Sequence, residues 1–290
     1  MFNLAINWDV SPEIIEGYKT PNWYGLLFVS GLIIGYFLMK KVFKKEKISD
    51  EVLDKLVMYM VLATIVGARL GHVFFYGPYF DTITPEGLVI ERGYFSHPLD
   101  IFKVWEGGLA SHGGAIVIAF ALWYFSKKVI QKPIIWILDR IAPSIAIAAA
   151  FIRLGNLANS EIVGDETNVA WGFKFLRNDC YPPFDCSWAE IPTRHPAQLY
   201  ESISYIIIFL LLVFLFWKKE AWKKQGMIFG LFLILLFTAR FLVEFVKLGQ
   251  TERDATMLIN TGQMLSIPFI LVGFYLFFKA LSKKEEITNK

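Results

Sequence analysis

The chain has 290 residues, of which 55% are hydrophobic, 17% aromatic and only 19% charged, with a formal net charge of +3 and a mean hydropathy of +0.46. A water-soluble domain of this length exposes far more charge, so the composition excludes a soluble globular fold and points to an all-α polytopic membrane protein. Two cysteines, Cys180 and Cys186, are too few for a disulfide scaffold and lack zinc-ligand spacing. The opening residues carry Asp9, Glu13 and Glu16 against a single Lys19, the wrong charge for a cleavable signal peptide.

A helix needs about 20 mostly apolar residues to cross a bilayer, and seven stretches qualify. The first, about 22–39, begins with Trp23 and Tyr24 and is followed by Lys40, Lys41, Lys44, Lys45 and Lys47. The second, 53–75, carries Arg69 and His72 near its end. An acidic-leaning connector follows over 76–106, with Asp81, Glu86, Glu91, Asp100 and Glu106. The third, 107–125, opens on GGLASHGG, two glycine pairs around His112, and is followed by Lys127, Lys128 and Lys132. The fourth, 134–155, has Asp139 and Arg140 near its start and Arg153 at its end, leading to Asn156. The second long connector, 156–196, is again acidic, with Glu161, Asp165, Glu166, Asp179, Asp185 and Glu190. The fifth, 197–217, starts beside His195 with Gln198, Tyr200 and Glu201, and ends on Lys218, Lys219, Lys223 and Lys224. The sixth, 226–246, holds Arg240 and Glu244. The seventh, 261–281, begins near Gln263 and ends before Lys283 and Lys284.

Lysines thus gather on alternate connectors, and the positive-inside rule places the N-terminus outside and the C-terminus in the cytoplasm. Trp23, Trp105, Trp123, Trp136, Trp217 and Trp222 fall at span ends, where interfacial aromatics belong. Residues 1–290 then form a single transmembrane domain. The connectors 76–106 and 156–196 are small folded caps or arms on the outer side, since both mix Pro, Gly and aromatics with scattered charge. The glycine pairs Gly31/Gly35, Gly67/Gly71 and Gly226/Gly230 have the four-residue spacing of close helix contacts.

With that orientation every span brings a polar group to the outer leaflet, while the inner halves stay apolar apart from Asp139 and Arg140. Charge within a span is costly and marks function. The asymmetry fits a site facing the outer leaflet better than a pathway through the membrane. Arg69, Arg153 and Arg240 at similar depth suit an anion, because guanidinium is always charged and grips phosphate through several hydrogen bonds. An anion at that depth is a phospholipid head group. The competing readings are snorkelling for Arg153 and, for Arg240, an intrahelical pair with Glu244. His112 suits proton transfer at neutral pH, and its flanking glycines, including Gly113 and Gly114, allow close approach of a substrate or of backbone. His72 fits helix packing and His195 a turn. No carboxylate cluster has metal spacing, and neither a Ser-His-Asp pattern nor a phosphate-binding glycine loop occurs. No metal or cofactor and no nucleic-acid partner is therefore expected. A disulfide between Cys180 and Cys186 is open to the outer connector, a free nucleophile less so.

GGLASHGG at 107–114, RLGNLANSEIVG at 153–164, RHPAQLYE at 194–201, RFLVEF at 240–245 and GQMLSIP at 262–268 resemble, in order, the motifs of the bacterial prolipoprotein diacylglyceryl transferases. The resemblance runs from Trp23-Tyr24-Gly25 to Pro268. It implies an enzyme of the bacterial cytoplasmic (inner) membrane, active at the outer leaflet in the first step of lipoprotein maturation. Such an enzyme moves the diacylglyceryl group of phosphatidylglycerol to the lipobox cysteine thiol of a prolipoprotein, forming a thioether and releasing glycerol 1-phosphate. By motif it assigns function to Tyr24, His112, Arg153, Asn156, Glu161, Gly164, Arg240 and Glu244. Combined with the residue chemistry, the expected catalytic set is His112, Arg240, Glu244 and Tyr24. The expected lipid-binding set is Arg153, Asn156, Glu161, Gly164, Gly113 and Gly114. The family signature commonly ends in Gly-Arg, where this chain reads Gly164-Asp165. The alternative to an enzyme is a non-enzymatic binder or transporter of anionic lipid; a metal-dependent lipid transferase would want intramembrane carboxylate clusters.

Overall fold

In the bilayer core each backbone N–H and C=O must be paired within the protein, so apolar stretches of sufficient length become helices. The computed structural model describes residues 5–15, 17–18, 20–84, 87–104, 107–108, 110–182, 184–249 and 259–282. In chain order its elements are β1 (Ile6–Trp8), α1 (Trp23–Lys45), α2 (Asp50–Phe75), β2 (Thr82–Ile83), β3 (Val89–Glu91), α3 (Ser111–Phe125), α4 (Ile134–Ala158), β4 (Phe173–Phe175), α5 (Leu176–Asp179), α6 (Ala197–Lys218), α7 (Met227–Val243) and α8 (Thr261–Ser282). Seven of the helices, all but the four-residue α5, are long and apolar enough to cross a membrane, α3 with the π-helical turn Ser126–Ile130 that continues it and α7 with a last turn to Val246. They match the seven predicted spans. Glu16, Lys19, Glu86, Trp105, Glu106, Lys283 and Lys284 lie outside the described residues.

The third span differs at its start. Its helix begins at Ser111 rather than at residue 107, because Gly107 and Gly108 sit at φ +93° and +69°, in the left-handed region that only glycine enters freely. They turn the chain ahead of the helix instead of forming its first turn.

The chain divides into two compact units, residues 1–39 with 138–290, and residues 40–137. In the first, small residues bring helices close. A methyl group on Gly31 would stand 3.0 Å from the Phe151 side chain and one on Gly35 3.2 Å from that of Ser144, whose hydroxyl donates to the Gly35 carbonyl at 3.1 Å. Gly230 and Gly273 form a similar contact between α7 and α8. Van der Waals contact of this kind drives helix association where lipid removes the hydrophobic incentive. The inner-half charge at Asp139 is explained here. Its carboxylate is fully buried and accepts from the backbone N–H groups of Gly226 at 2.7 Å and Phe229 at 2.9 Å, capping the otherwise unpaired start of α7. Arg140 lies over the Trp222 ring at 5.6 Å.

The outer connector of this unit is folded. β1 pairs in parallel with β4, and Trp8 Nε1 donates to the Leu157 carbonyl at 3.0 Å. Arg194 holds the Asp179 carboxylate through Nε and Nη2, at 2.9 and 2.7 Å to Oδ1; those hydrogen bonds hold the Arg194 pKa above its ordinary value. Cys180 and Cys186 are joined in a disulfide, which settles their state and leaves no free cysteine.

In the unit of residues 40–137, α2 and α3 pack through Gly67, Gly71 and Gly113. A methyl group on Gly113 would lie 2.2 Å from the Gly67 carbonyl oxygen and 2.4 Å from Gly71 Cα, so no larger residue fits without parting the helices. The connector between them forms an arm: the antiparallel β2–β3 hairpin, then a 3-10 turn over Pro98–Phe102. Its hairpin base is held by Gly93 N–H donating to Asp81 at 2.7 Å and by His97 Nε2 lying 3.1 Å from the same carboxylate.

Candidate functional site

Arg153 and Asn156 stand one turn apart at the end of α4, so their side chains share a face. Arg153 Nη1 donates to Asn156 Oδ1 at 3.1 Å, and Asn156 Nδ2 donates to Glu161 Oε1 at 2.8 Å. Glu161 is exposed and also accepts from Asn159 at 3.3 Å, while its backbone carbonyl accepts from the fully buried Gln198 at 2.7 Å. Tyr24, at the start of α1, packs against Gly155, where a methyl group would lie 2.7 Å from the tyrosine ring. It is within electrostatic reach of both Glu161 and Arg153.

Inward from Arg153 the cluster continues on α6. Arg153 Nε lies 2.7 Å from Glu201 Oε2, an ion pair whose N–H is not aimed at the oxygen, since that oxygen lacks an aligned hydrogen-bond donor. Glu201 is fully buried. It also accepts from the Tyr205 hydroxyl at 3.3 Å and lies 3.8 Å from Lys247 Nζ. Lys247 is itself 5% exposed and lies 3.4 Å from Glu244 Oε2. A buried charge persists only when paired, and these charges pair with one another. Arg240 is the exception. Its Nε is buried with no hydrogen-bond partner among the described residues, while its charge reaches the same Tyr205 hydroxyl that Arg153 reaches. The intrahelical Arg240–Glu244 pair does not form: α7 ends at Val243, Glu244 opens a 3-10 turn, and its carboxylate goes to Lys247.

Backbone geometry holds this arrangement in place. Gly164 N–H donates to the His195 carbonyl at 2.9 Å, Asp165 N–H to Val246 at 2.9 Å, and Leu248 N–H to Val163 at 3.2 Å. A methyl group on Gly164 would lie 2.6 Å from both the His195 and Val246 carbonyl oxygens, so glycine lets the two segments close here. Gly262 does the same beneath the Glu244 carboxylate, at 2.5 Å. Tyr24, Arg153, Asn156, Glu161, Gly164, Arg240 and Glu244 therefore gather in one unit. Asp165, in place of the expected arginine, is exposed.

His112, Gly113 and Gly114 belong to the other unit. His112 is exposed, with Nδ1 3.5 Å from the Tyr76 hydroxyl. Gly113 and Gly114 are buried, Gly113 against α2. Arg69, grouped by the sequence with the anion-binding arginines, is corrected by the structure. It is 5% exposed and donates to the carbonyls of Asp100, Ile101, Gly107 and Gly108 at 2.5–3.2 Å, with Tyr94 stacked 5.0 Å away. Its donors satisfy carbonyls of the 3-10 turn and of the glycine pair.

The sequence profile of the prolipoprotein diacylglyceryl transferases matches residues 14–279. The chain belongs to the prolipoprotein diacylglyceryl transferase family. It is 42% identical to the phosphatidylglycerol–prolipoprotein diacylglyceryl transferase of Tolumonas auensis over 280 residues, 96% of this chain and 98% of that one. It is likewise 42% identical to that of Porphyromonas gingivalis over 296 residues, 98% of this chain and 97% of that one, and 40% identical to that of Chloroherpeton thalassium over 281 residues, 97% of this chain and 96% of that one.

Beside the diacylglyceryl transferase motif positions, the structure adds Lys247 and Tyr205, and it gives Glu201, the last residue of the 194–201 motif, its partners. Lys247 reads in the sequence as one more lysine after an apolar run, and only folding removes it from water. Glu201 had a sequence signal, an acid inside the apolar 197–217 stretch, but not a partner.

Proposed function

We propose that this protein transfers the sn-1,2-diacylglyceryl group of phosphatidylglycerol to the lipobox cysteine thiol of a prolipoprotein, at the outer leaflet of the bacterial cytoplasmic membrane. The orientation rests on the alternating lysine connectors, which place the N-terminus outside. The observation that carries the reaction is Arg240: in a cluster whose other charges stand in ion pairs, its Nε has no hydrogen-bond partner among the described residues. A phosphate diester entering beside Tyr205 would supply the missing acceptor, with Arg153 as the second cation.

In this reading the substrate thiolate attacks the sn-3 carbon of the diacylglycerol backbone. The C–S bond forms as the C–O bond to phosphate breaks, and the electron pair leaves with the phosphate as glycerol 1-phosphate. Arg153 and Arg240 stabilise the charge that grows on the leaving oxygen, a contribution that depends on donors already in place. The thiol proton goes to His112, an exposed imidazole, the side-chain type most often used as a general base. Tyr24, Asn156 and Glu161 line the exposed end of the cluster and bind the glycerol head group, whose hydroxyls both donate and accept. Gly164 sets the backbone beneath them. Glu244 balances Lys247.

The test uses purified protein in detergent with phosphatidylglycerol and a synthetic peptide carrying a lipobox cysteine. Coupled release of glycerol 1-phosphate and a diacylglyceryl mass gain on the peptide, both lost when that cysteine becomes serine, is the expected result. Folded protein that binds phosphatidylglycerol yet gives neither signal would identify a lipid binder instead.

A further inference from the structure

The arm over residues 76–104 has a surface unlike a water-facing loop. Phe80, Ile83, Leu88, Ile90, Leu99 and Phe102 are each more than half exposed, from 57% at Ile83 to 78% at Leu99. They are not the loose side chains of an unfolded segment. Tyr79 stacks on Phe95 with ring centroids 5.4 Å apart, Tyr94 N–H donates to Pro78 and Phe95 N–H to Tyr79, at 2.9 and 2.8 Å. Successive residues of a strand point to opposite faces. Val89 and Ile90 are both exposed, at 50% and 68%, so each face of the β2–β3 hairpin carries an uncovered apolar side chain, beside the exposed Thr82–Glu91 pair. A two-stranded ribbon is marginal in water at best, and one with apolar side chains bare on each face gains from cover on both.

We infer that this arm lies in the membrane–water interface, with its apolar side chains in the outer edge of the same bilayer that α2 and α3 cross. A folded protein partner would cover one face of a hairpin; lipid surrounds both. The apolar surface is also continuous with the end of α2, where Phe74 and Phe75 are 52% and 68% exposed. The arm departs from one membrane-crossing helix and returns to another packed against it, so both of its ends sit near one face of the bilayer. Depth follows from the backbone. A two-stranded hairpin leaves outward N–H and C=O groups unpaired, which the hydrocarbon core does not tolerate. The arm therefore stays at head-group depth, some 5–10 Å into the boundary between head groups and acyl chains. Its charged pairs, Asp81 with His97 and Asp100 with Lys103, remain in reach of water there. Arg69 ties the far end of the arm to α2 through the carbonyls of Asp100, Ile101, Gly107 and Gly108. The depth of the arm thereby fixes the height of the glycine turn that precedes His112.

The experiment places an environment-sensitive fluorophore on single cysteines introduced at Leu88, Ile90, Leu99 or Phe102, the native cysteines being held in their disulfide. A fifth label at Leu271, an exposed apolar position of α8, serves as the deep reference. Each protein is reconstituted in phosphatidylcholine–phosphatidylglycerol vesicles with a spin label at acyl carbon 5 or carbon 12. The arm labels are expected to lose at least about half their emission to the carbon-5 quencher and markedly less to carbon 12, with the reverse order at Leu271. Water-like emission unaffected by either quencher overturns the inference. So does quenching that disappears as protein density rises, since a second copy would then be the cover. Stronger quenching at carbon 12 than at carbon 5 overturns the head-group depth. All labelled positions are exposed, so the fold is retained, and agreement between Leu99 and Ile90 separates arm placement from a local effect of one label.

Discussion

In the unit of residues 1–39 and 138–290, half-buried Arg153 and buried Lys247 face carboxylates, and among the described residues none accepts from Arg240 Nε. In the unit of residues 40–137, buried Arg69 faces four backbone carbonyls, and the functional candidate, His112, stands exposed. The same residue type near the end of an apolar helix is thus a loop brace in one unit and, in the function proposed above, an anion ligand in the other. What separates them is the partner, and the partner is set by folding.

The largest effect expected on this comparison is at His112. His112→Gln should lower transfer by two to four orders of magnitude, the span of a lost general base, with an unchanged melting temperature because the side chain is exposed. Wild-type turnover in the peptide assay would remove the base from His112. Next, Arg240→Ala should cost about a hundredfold to a thousandfold in kcat, as does loss of an oxyanion donor, with little loss of thermal stability, since none of the described residues accepts from its Nε. Arg69→Ala should do the opposite, lowering the melting temperature by exposing four unmet carbonyls. If Arg69→Ala kept its stability and lost activity, the division between brace and anion ligand would fail.

A finer break is at Lys247. Lys247→Met leaves Glu201 and Glu244 near a vacated position with no cation between them, and should raise KM for phosphatidylglycerol about tenfold or more, because Arg153 would be drawn fully to the carboxylates. Lys247→Arg should restore most of it; if both variants behave alike, Lys247 contributes packing only. In the other unit, neighbouring glycines should part company. Gly113→Ala collides with Gly67 at 2.2 Å and should lower the melting temperature, whereas a methyl at Gly114 has no contact closer than 3.8 Å and should be tolerated. Paired melting curves of the two variants decide this.

The smallest effect concerns acid. The Gly93 N–H, then His97, hold the Asp81 carboxyl below the usual carboxylate range. A folded pKa below the unfolded value gives stability that is full above about pH 4 and is lost as pH falls through the lowered pKa. Hydrogen exchange at the Gly93 amide should therefore speed up, relative to other arm amides, only below pH 4. Loss of protection near neutral pH would put the responsible group elsewhere.

Sequence alone was enough for the seven helices, because lipid admits few ways to satisfy a backbone and a 20-residue apolar run leaves little choice. It was enough for Arg153, Arg240 and Glu244 as candidates, since charge within apolar runs is costly and therefore informative, and for Asn156 as a polar neighbour of Arg153 on one helix face. Glu161 became a candidate only through the family motif. The sequence also carried the close helix contacts at Gly31/Gly35 and Gly67/Gly71, for which four-residue glycine spacing is a local signal. Of Gly226/Gly230, only Gly230 packs against a helix, Gly226 standing ahead of α7 at φ +92°. Only the tertiary structure decided which charges meet. It gave Glu244 to Lys247 rather than Arg240, buried Glu201 between Arg153 and Lys247, spent Arg69 on a loop, turned Asp139 into a helix cap and joined the two cysteines. The contacts of Glu201 with Lys247, of Arg69 with its loop and of Asp139 with α7 join residues far apart in the chain. The Glu244–Lys247 pair and the disulfide depend on local turns of the backbone. Electrostatic and hydrogen-bond energies fall off over a few ångströms in either case.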